Sequence, residues 1–461
     1  MTAKDLASWR KEFEAFHARF SSVFSREESR QHASEYMRGL MAPVERKNGW
    51  QIAEQAGHAR PDRLQRLLHR STWSADEARD VLLEFVAERF GISDGIGILD
   101  ETGFLKKGQQ SVGVQRQYSG TAGKIDNCQV AVFVGYLCGS NHLLVDRRLF
   151  LPQSWSEDAP RRQKAAVPES IAHRSKPELA AEMLEHCWQH GLPMRWVSGD
   201  EVYGNAQHLR RTISQHGKLY VLAVSSTTTG WTKRPPTIEP DAPSEGGQKR
   251  PSRRPRVRRR LAPEAEPPQT VRQLIAALPE RKWQRLSLLR GEKGPRRYDW
   301  TARRFVTWSD GADGEELWLV ARRSIDSPEE IAYYVSNAPR TTAIEEMARV
   351  AMQRYAIEQC FEEAKGELGL DHYEVRTWPS WHRHVTLTMM ALAWLASLRA
   401  SHQKTEPGVG RVDHRRDAPT TGSGTTTASA QRRASPGVVA VASLSATTCS
   451  AQSLQTPRCQ L

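Results

Sequence analysis

The chain has 461 residues, 38% of them hydrophobic, which is enough for two or three domains with buried cores. Lys and Arg exceed Asp and Glu by 66 to 53, a net charge of +13 that favours a polyanionic partner, most often nucleic acid. The polar start argues against a secretory signal, and the apolar runs are too short to span a bilayer. The six cysteines include no CxxC pair, which argues against a zinc finger. We therefore predict a cytoplasmic, nucleoid-associated protein with reduced thiols and no membrane partner.

Residues 1–92 are predicted to form a helical, DNA-binding domain. Apolar residues recur at three- and four-residue steps from Leu6 to Phe20, and Ser74 followed by Glu77 is typical of a capping box. An ordinary bundle with a solvated basic face is the alternative reading. The basic residues that would contact DNA phosphates are Arg46, Lys47, Arg60, Arg63, Arg66 and Arg70.

Residues 93–224 are predicted to form the first part of a mixed α/β core. Short apolar runs bounded by glycines and polar residues favour buried strands, and Ser175-Lys176-Pro177 starts a helix. Strands alternating with a helix in this way form an α/β layer. The predicted elements are strands at 95–101, 127–137, 142–151 and 194–200 and a helix at 175–190.

The amino-acid composition changes several times along the second half of the chain. We predict a basic Pro/Arg-rich linker at 225–270, a β-rich insertion at 271–340, and the catalytic and closing helices of the core within 341–400. The Ser/Thr-rich residues 401–461 are predicted to be a disordered tail. Within these segments the elements are strands at 298–308, 316–323 and 331–336 and helices at 342–368 and 379–399.

The first candidate site lies in the stretch GIGILDETGFLKKG, residues 95–108. We expect its strand to end in Asp100, a hard oxygen ligand for a metal ion, followed by a glycine-punctuated turn with Lys106 and Lys107, which would contact DNA. A strand ending in a solvated turn is the alternative. Glu101 follows Asp100 on an extended chain, so its side chain should point to the opposite side.

A second group of charged residues lies on the predicted helix 342–368. Arg354, Glu358 and Lys365 fall within about 40° of each other around a helix. This could be an Arg–Glu pair of structural value only, or a carboxylate flanked by two phosphate-binding cations. Asp100, Asp200 and Glu358 together supply the carboxylates with which two Mg²⁺ ions about 3.5–4 Å apart would cleave a phosphodiester.

The chain resembles bacterial insertion-sequence transposases of the DDE type, within them the group numbered seven-oh-one, close to the cut-and-paste class with a Tyr-x2-Arg-x3-Glu-x6-Lys motif. The resemblance extends from about residue 9 to 399. The matching stretches are LDETGFLKKGQQSVGVQRQYSGTAGKIDNCQVAV (99–132), WVSGDEVYGN (196–205) and RYAIEQCFEEAKGELGLDHYEVR (354–376).

The resemblance implies a ribonuclease-H-like core in which Asp100, Asp200 and Glu358 are catalytic and bind Mg²⁺, with Mn²⁺ as a substitute. Arg354 and Lys365 match the motif's DNA-gripping cations. The implied partners are double-stranded DNA, both the element's terminal inverted repeats and target DNA, and a second copy of the chain in a homodimer. Ala351 stands at the motif's Tyr position, and Tyr355, one turn later, could replace that Tyr or be a packing residue.

Relatives cut through a DNA hairpin with a flipped base, and four tryptophans could stack on such a base or simply pack: Trp283, Trp300, Trp308 and Trp318. The abnormal composition after about residue 402 suggests a frameshifted C-terminus, which translating the neighbouring reading frames would test. The rival functions are a ribonuclease-H-like nuclease without strand transfer and an inactive DNA-binding relic.

Overall fold

The computed structural model describes residues 3–238, 260–291, 294–307 and 314–405. These residues form two compact units, the first made of the described residues within 1–85, 164–167 and 361–461 and the second of those within 86–163 and 168–360. The disordered tail and its frameshift, predicted beyond about residue 401, lie outside the described residues apart from the last helical turn. Within the described residues, no helix is long and apolar enough to cross a membrane.

The helices and strands follow each other along the whole described chain. The helices are α1 Ala3–Ala18, α2 Glu27–Met41, α3 Gly49–Gln55, α4 Asp62–His69, α5 Ala75–Phe90, α6 Gln153–Ser156, α7 Ala159–Lys164, α8 Lys176–Gln189, α9 Glu201–Gly204, α10 Gln207–Gln215, α11 Val271–Ala276, α12 Ile344–Gln353, α13 Tyr355–Gly366 and α14 Trp378–Thr405. The strands are β1 Ile96–Leu105, β2 Gln115–Ser119, β3 Lys124–Cys138, β4 Asn141–Leu149, β5 Trp196–Gly199, β6 Leu219–Val224, β7 Thr229–Trp231, β8 Thr237–Ile238, β9 Arg260–Leu261, β10 Gln269–Thr270, β11 Gln284–Gly291, β12 Gly294–Thr307, β13 Glu316–Arg323 and β14 Ile331–Ser336.

Five strands of the second unit form its central sheet in the order β4-β3-β1-β5-β6. β1, β3 and β4 are antiparallel neighbours, whereas β5 runs parallel to both β1 and β6. β3 is rich in β-branched and aromatic residues, which suits a strand that pairs on both edges, and it is buried from Cys128 to Cys138. This mixed order, with the helices between the strands, is the predicted ribonuclease-H-like α/β core.

The β-rich insertion continues the same sheet instead of forming a separate one. β14 pairs antiparallel with β6, and β13, β12 and β11 follow in order, giving a sheet of 12 strands. β13 and β14 have the predicted bounds. The ends of the predicted linker are ordered, because β7 pairs with β12 and β10, whereas residues 239–259 lie outside the described residues.

The first unit is helical and includes α14. This long, apolar helix packs on α1, α2 and α4, where Trp394 contacts Phe13 and Phe16 and His384 bonds to the hydroxyl of Tyr36. The predicted closing helix of the core therefore packs with the N-terminal helices. The domain boundaries drawn from the sequence stay predictions.

The basic face predicted for the first unit loses one member. Lys47 is buried, its ammonium group donates to the carbonyl of Ala42, and burial lowers the pKa of Lys47 to about 8. The prediction that Lys47 contacts DNA phosphates is therefore wrong. The arginines predicted with it are exposed: Arg46, Arg60, Arg63, Arg66 and Arg70.

Candidate active site

Two acids stand side by side where two parallel strands part. The pairing of β1 with β5 runs from Ile96 opposite Trp196 to Leu99 opposite Gly199, and the next residues are Asp100 and Asp200. β5 ends there, and Asp200 caps α9 by accepting a hydrogen bond from the backbone of Val202 at 2.9 Å. β1, in contrast, continues to Leu105. The expectation that its strand ends at Asp100 was wrong, because β3 still pairs with β1 beyond that point.

Glu101 belongs to the same acidic cluster. One carboxylate oxygen from each of Asp100, Glu101 and Asp200 lies within 4.8 Å of the other two. The expectation that Glu101 points away from Asp100 was wrong. Alternation along a strand fixes where Cβ points, but the longer glutamate side chain can reach back to its neighbour's side.

Two groups from neighbouring helices hold Glu101 in this place. The ammonium group of Lys176, at the start of α8, lies 2.6 Å from one carboxylate oxygen, and the hydroxyl of Tyr203 in α9 donates to the other at 2.7 Å. Sequence reasoning missed both partners. The Ser175 cap at the start of α8 was visible, but nothing in the sequence says which acid Lys176 meets.

Glu358 is linked to Asp100 through one guanidinium group. Arg354 donates to an oxygen of Asp100 at 3.1 Å and to an oxygen of Glu358 at 2.7 Å. The single helix predicted at 342–368 is two helices, α12 and α13, that meet at Arg354. This interruption lies at the residue that bridges the two acids.

The packing of α13 on the sheet sets the position of Glu358. Ile357 lies against Gly135 of β3, where an added Cβ would be only 3.2 Å from Ile357 Cγ1. Gly135 and Phe133, which pairs with Asp100, face the same side of the sheet because strand side chains alternate. The absence of a side chain at Gly135 therefore lets α13 approach the face that carries Asp100.

Burial and crowding favour the protonated forms of the strand acids. Burial raises the pKa of Asp100 to about 7, although the Arg354 guanidinium opposes the shift. Burial and the nearby Glu101 also raise the pKa of Asp200. Tyr203, buried beside Glu101, has its pKa raised well above the ordinary value, so it stays a hydrogen-bond donor at neutral pH. Burying several carboxylates next to each other is unfavourable when they are charged, and such groups are typical of a site for a cation.

The donor set fits a divalent hard cation. Carboxylate oxygens are the protein ligands that Mg²⁺ and Mn²⁺ accept, and ligands on opposite sides of Mg²⁺ lie about 4 Å apart. The oxygens of Asp100, Glu101 and Asp200, within 4.8 Å of each other, match that spacing. The three ligands of this group are all carboxylates, with no thiolate or imidazole among them, which is the donor set that hard cations select.

The four residues predicted to contact DNA at the catalytic core are cations on different segments of the chain. Lys106 and Lys107 follow the end of β1, and Lys107 is exposed. Lys365 lies in the last turn of α13, and partial burial lowers its pKa. Arg354 contacts acids in this structure. Contacts of Arg354, Lys106, Lys107 and Lys365 with DNA stay predictions.

The aromatic candidates separate by burial. Trp300 is fully buried and stacks on Tyr334, so it cannot receive a flipped base without unfolding its surroundings. Arg323 covers Trp283 and Arg304 covers Trp318, with guanidinium-to-ring distances of 4.3 and 5.1 Å. Trp308 lies outside the described residues.

Burial also bears on whether Tyr355 replaces the missing motif tyrosine or is a packing residue. Ala351 is buried in α12, whereas the Tyr355 side chain at the start of α13 is 42% exposed. Tyr355 is therefore not a core packing residue. Its exposure is compatible with a functional role on the same helix as Glu358.

The fold is ribonuclease-H-like, and its sheet carries a group of three carboxylates with the spacing of metal ligands. A family model described as DDE superfamily endonuclease matches residues 19–295, more than half of the 461 residues. The chain belongs to this family. The match ends before Glu358, so the third acid rests on the resemblance of 354–376 and on the bridge through Arg354.

Two similar proteins add to the family match. The chain is 30% identical over 190 residues to the "Probable transposase for insertion sequence element IS701" of Microchaete diplosiphon, which covers 41% of this chain and 47% of that protein. It therefore matches about half the length of that relative. A cryo-EM structure of piggyBac transposase in a synaptic complex with hairpin DNA aligns over 95% of this chain and 74% of that chain, with a TM-score of 0.40 and 10% identity. That similarity is too low to carry an argument.

Proposed function

We propose that this protein is a DNA transposase that uses divalent metal ions, Mg²⁺ in the cell, to cut and join DNA at the ends of an insertion element. Two observations carry the proposal: Asp100 and Asp200 directly follow the paired ends of β1 and β5, and the Arg354 guanidinium contacts both Asp100 and Glu358. The family and the insertion-element relative support this reaction class.

The proposed catalytic acids come from separate elements that the fold brings together. Asp100 and Asp200 would hold one ion from neighbouring strand positions, and Glu358 would complete the set from α13. Glu101 offers a further oxygen, held in place by Lys176 and Tyr203. Bound metal ions supply activation of the attacking oxygen and stabilisation of the leaving oxygen in phosphodiester chemistry.

Arg354 would have two roles in the proposed reaction. Its guanidinium balances the charge of Asp100 and Glu358, with which it forms contacts of 3.1 and 2.7 Å. Because a planar guanidinium binds phosphate oxygens with two donors, Arg354 would also contact the DNA strand next to the acids. Lys365, on the last turn of the same helix, would contact the backbone further along.

The test is a cleavage assay with labelled DNA that carries the element's terminal repeat and its flanking sequence. The wild-type protein should cut this DNA with Mg²⁺ or Mn²⁺ and not with EDTA. Asp100→Asn, Asp200→Asn and Glu358→Gln should each lower the cleavage rate by at least about a thousandfold and leave DNA binding in place. Glu201→Gln is the matched control, because Glu201 is an exposed acid beside Asp200.

Several outcomes would replace the proposal with a rival. Cleavage without joining to target DNA would identify a nuclease, and binding without cleavage would identify a DNA-binding relic. Full activity in Glu358→Gln would remove Glu358 from the site.

Because transposases act on two DNA ends, we also propose that the active complex is a homodimer, which sizing of the protein with and without end DNA would test.

A further inference from the structure

The unit made of Val86–Gln163 and Pro168–Cys360, which we call the catalytic unit because it carries Asp100 and Asp200, has a second surface of interest. This surface combines exposed apolar side chains with cations. β2 and the first part of β3 form a two-stranded hairpin, Gln115–Ser119 paired with Lys124–Cys128, which we call the β2–β3 ribbon. Tyr118 and Ile125 are direct partners in this pairing, and their side chains are 64% and 60% exposed. Soluble proteins rarely leave paired large apolar side chains in water without a use for them.

The charges around this apolar pair are mainly positive. Arg116 is exposed on the same face of the ribbon as Tyr118, two residues along β2, and Lys124 is exposed at the start of β3. The acid of the ribbon, Asp126, lies 3.5 Å from Lys124. The ribbon therefore presents an apolar centre with cations beside it, a charge pattern that is complementary to a polyanion such as DNA.

The predicted basic turn is fixed next to the ribbon. The side chain of Asn127 in β3 donates to the carbonyls of Lys106 and Gly108 at 2.6 and 3.0 Å, and the backbone of Lys106 donates to the carbonyl of Asn127. Lys106–Gly108 and the ribbon are thus one surface. Lys107, exposed in this turn, adds to its positive charge.

The ribbon lies on the same face of the sheet as the catalytic acid. Asp100 pairs with Phe133, and Ile125 is an even number of residues from Phe133 on β3, so the two positions face the same side. The six steps along the chain from Asp100 to Lys106 span about 20 Å, and the eight steps from Phe133 to Ile125 span about 27 Å. These lengths equal about six and about eight base pairs of duplex at ~3.4 Å each.

The shape of the ribbon also fits a duplex. The pairing of β1 with β3 reaches Cys128, so Lys124–Asn127 and their partners on β2 extend past the end of β1. β2 is the last strand at this edge of the sheet. A two-stranded ribbon fits the major groove of B-form DNA.

We propose that the β2–β3 ribbon and the Lys106–Gly108 turn bind the groove of the duplex about six to eight base pairs from the cut phosphate. Arg116 and Lys107 contact phosphates on the two sides of the groove, and Tyr118 with Ile125 packs against its floor and sugar edges. The proposal rests on the proposed function, since it takes the DNA bound at Asp100 as the occupant.

The experiment measures binding of full-length protein to the element-end duplex in EDTA, so that no cleavage occurs. The double variant Lys107→Gln/Arg116→Gln should lower the slope of log affinity against log salt by about 0.9 for each lost phosphate contact. Tyr118→Ala should weaken binding about tenfold at fixed salt, as expected for loss of an aromatic contact. Arg211→Gln/Lys218→Gln, which removes the same charge from the α10 region, is the matched control and should leave the slope unchanged.

A photo-crosslinking phenylalanine analogue at position 118 gives a direct readout. It should crosslink to end DNA about eight base pairs from the cleavage position, whereas the same analogue at position 211 should not. Equal salt slopes and affinities in the ribbon and control variants, or a crosslink only to a second protein chain, would overturn the ribbon proposal. Failure of the wild-type protein to cut end DNA with Mg²⁺ would instead overturn the proposed function, and the two results are read from separate assays.

Discussion

At the scale of single residues, the Asp100 carboxylate is held by its neighbours on several sides. It lies beside Asp200 and Glu101 and accepts from Arg354, with only 14% of its side chain exposed. Burial raises its pKa to about 7, so a bound cation would stabilise the ionised form that the apo site disfavours.

Glu101→Gln tests whether the fourth carboxylate of the site is a ligand. Loss of this charge should weaken Mn²⁺ binding by about tenfold or more, and Tyr203→Phe, which removes only one hydrogen bond to Glu101, should have a smaller effect. Calorimetric titration with Mn²⁺ in the absence of DNA measures both. An affinity in Glu101→Gln equal to that of Glu201→Gln would show that Glu101 does not bind the ion.

His17 should make the stability of the helical unit depend on pH. It is buried between Phe13 and Phe24, and burial lowers its pKa from 6.5 to about 4. The unfolded chain therefore takes up a proton below pH 6.5 that the folded chain does not take up until about pH 4. As the pH decreases through this window, the free energy of unfolding decreases by roughly 3 kcal/mol at most.

Denaturant titrations of His17→Leu and of the wild type between pH 4 and 7 measure this contribution. The variant should lose part of the pH dependence and keep its stability at pH 7. The same pH dependence in both proteins would mean that His17 is not the buried neutral group described above.

At the scale of elements, the register of three strands and one helix builds the site. β1 and β5 align Asp100 with Asp200, and the close approach of α13 to Gly135 of β3 brings Glu358 to the same face. The predicted helix was continuous, but the chain interrupts it at Arg354. A guanidinium at this junction can reach both Asp100 and Glu358.

Gly135→Val should separate chemistry from binding. The added side chain would collide with Ile357, whose Cγ1 lies 3.2 Å from the position of a Cβ at Gly135, and would push α13 and Glu358 away. A displacement of about 1 Å costs about a hundredfold in rate. The cleavage rate should fall by that order, while affinity for end DNA stays near the wild-type value.

The double variant Gly135→Val/Ile357→Ala is the rescue, because a smaller side chain on α13 makes room for the valine. Gly366→Val is the control, since a Cβ there meets nothing within 4 Å. Full cleavage activity in Gly135→Val would contradict the packing argument for the position of Glu358.

At the scale of the whole molecule, the excess of positive charge should dominate DNA affinity. The net charge of +13 predicts binding to any duplex, with an affinity that falls about a thousandfold or more between 50 and 200 mM salt if six or more phosphates are contacted. Fluorescence anisotropy with end DNA and with unrelated DNA measures this. An affinity that hardly changes with salt would exclude a phosphate-dominated interface.

Much of the catalytic unit is readable from its sequence. The apolar runs before Asp100 and Asp200 predict buried strands, and the bounds of β13 and β14 follow from their composition. These signals are local, because a strand that pairs on both edges selects β-branched and aromatic residues wherever it lies. The order of the acids and the matching stretches then indicate the family.

The tertiary structure alone decides which groups meet. The sequence-based predictions pointed Glu101 away from Asp100, treated 342–368 as one helix and put Lys47 on a solvated face. These predictions were wrong because side-chain reach, a helix junction and burial by neighbouring residues leave no periodic pattern in the sequence. The register of β1 with β5 joins residues 100 positions apart, and the contact of Arg354 with Asp100 joins residues 254 positions apart. The sequence by itself therefore determined the kinds of chemical group and the types of element, and the packing of distant elements decided the geometry of the site.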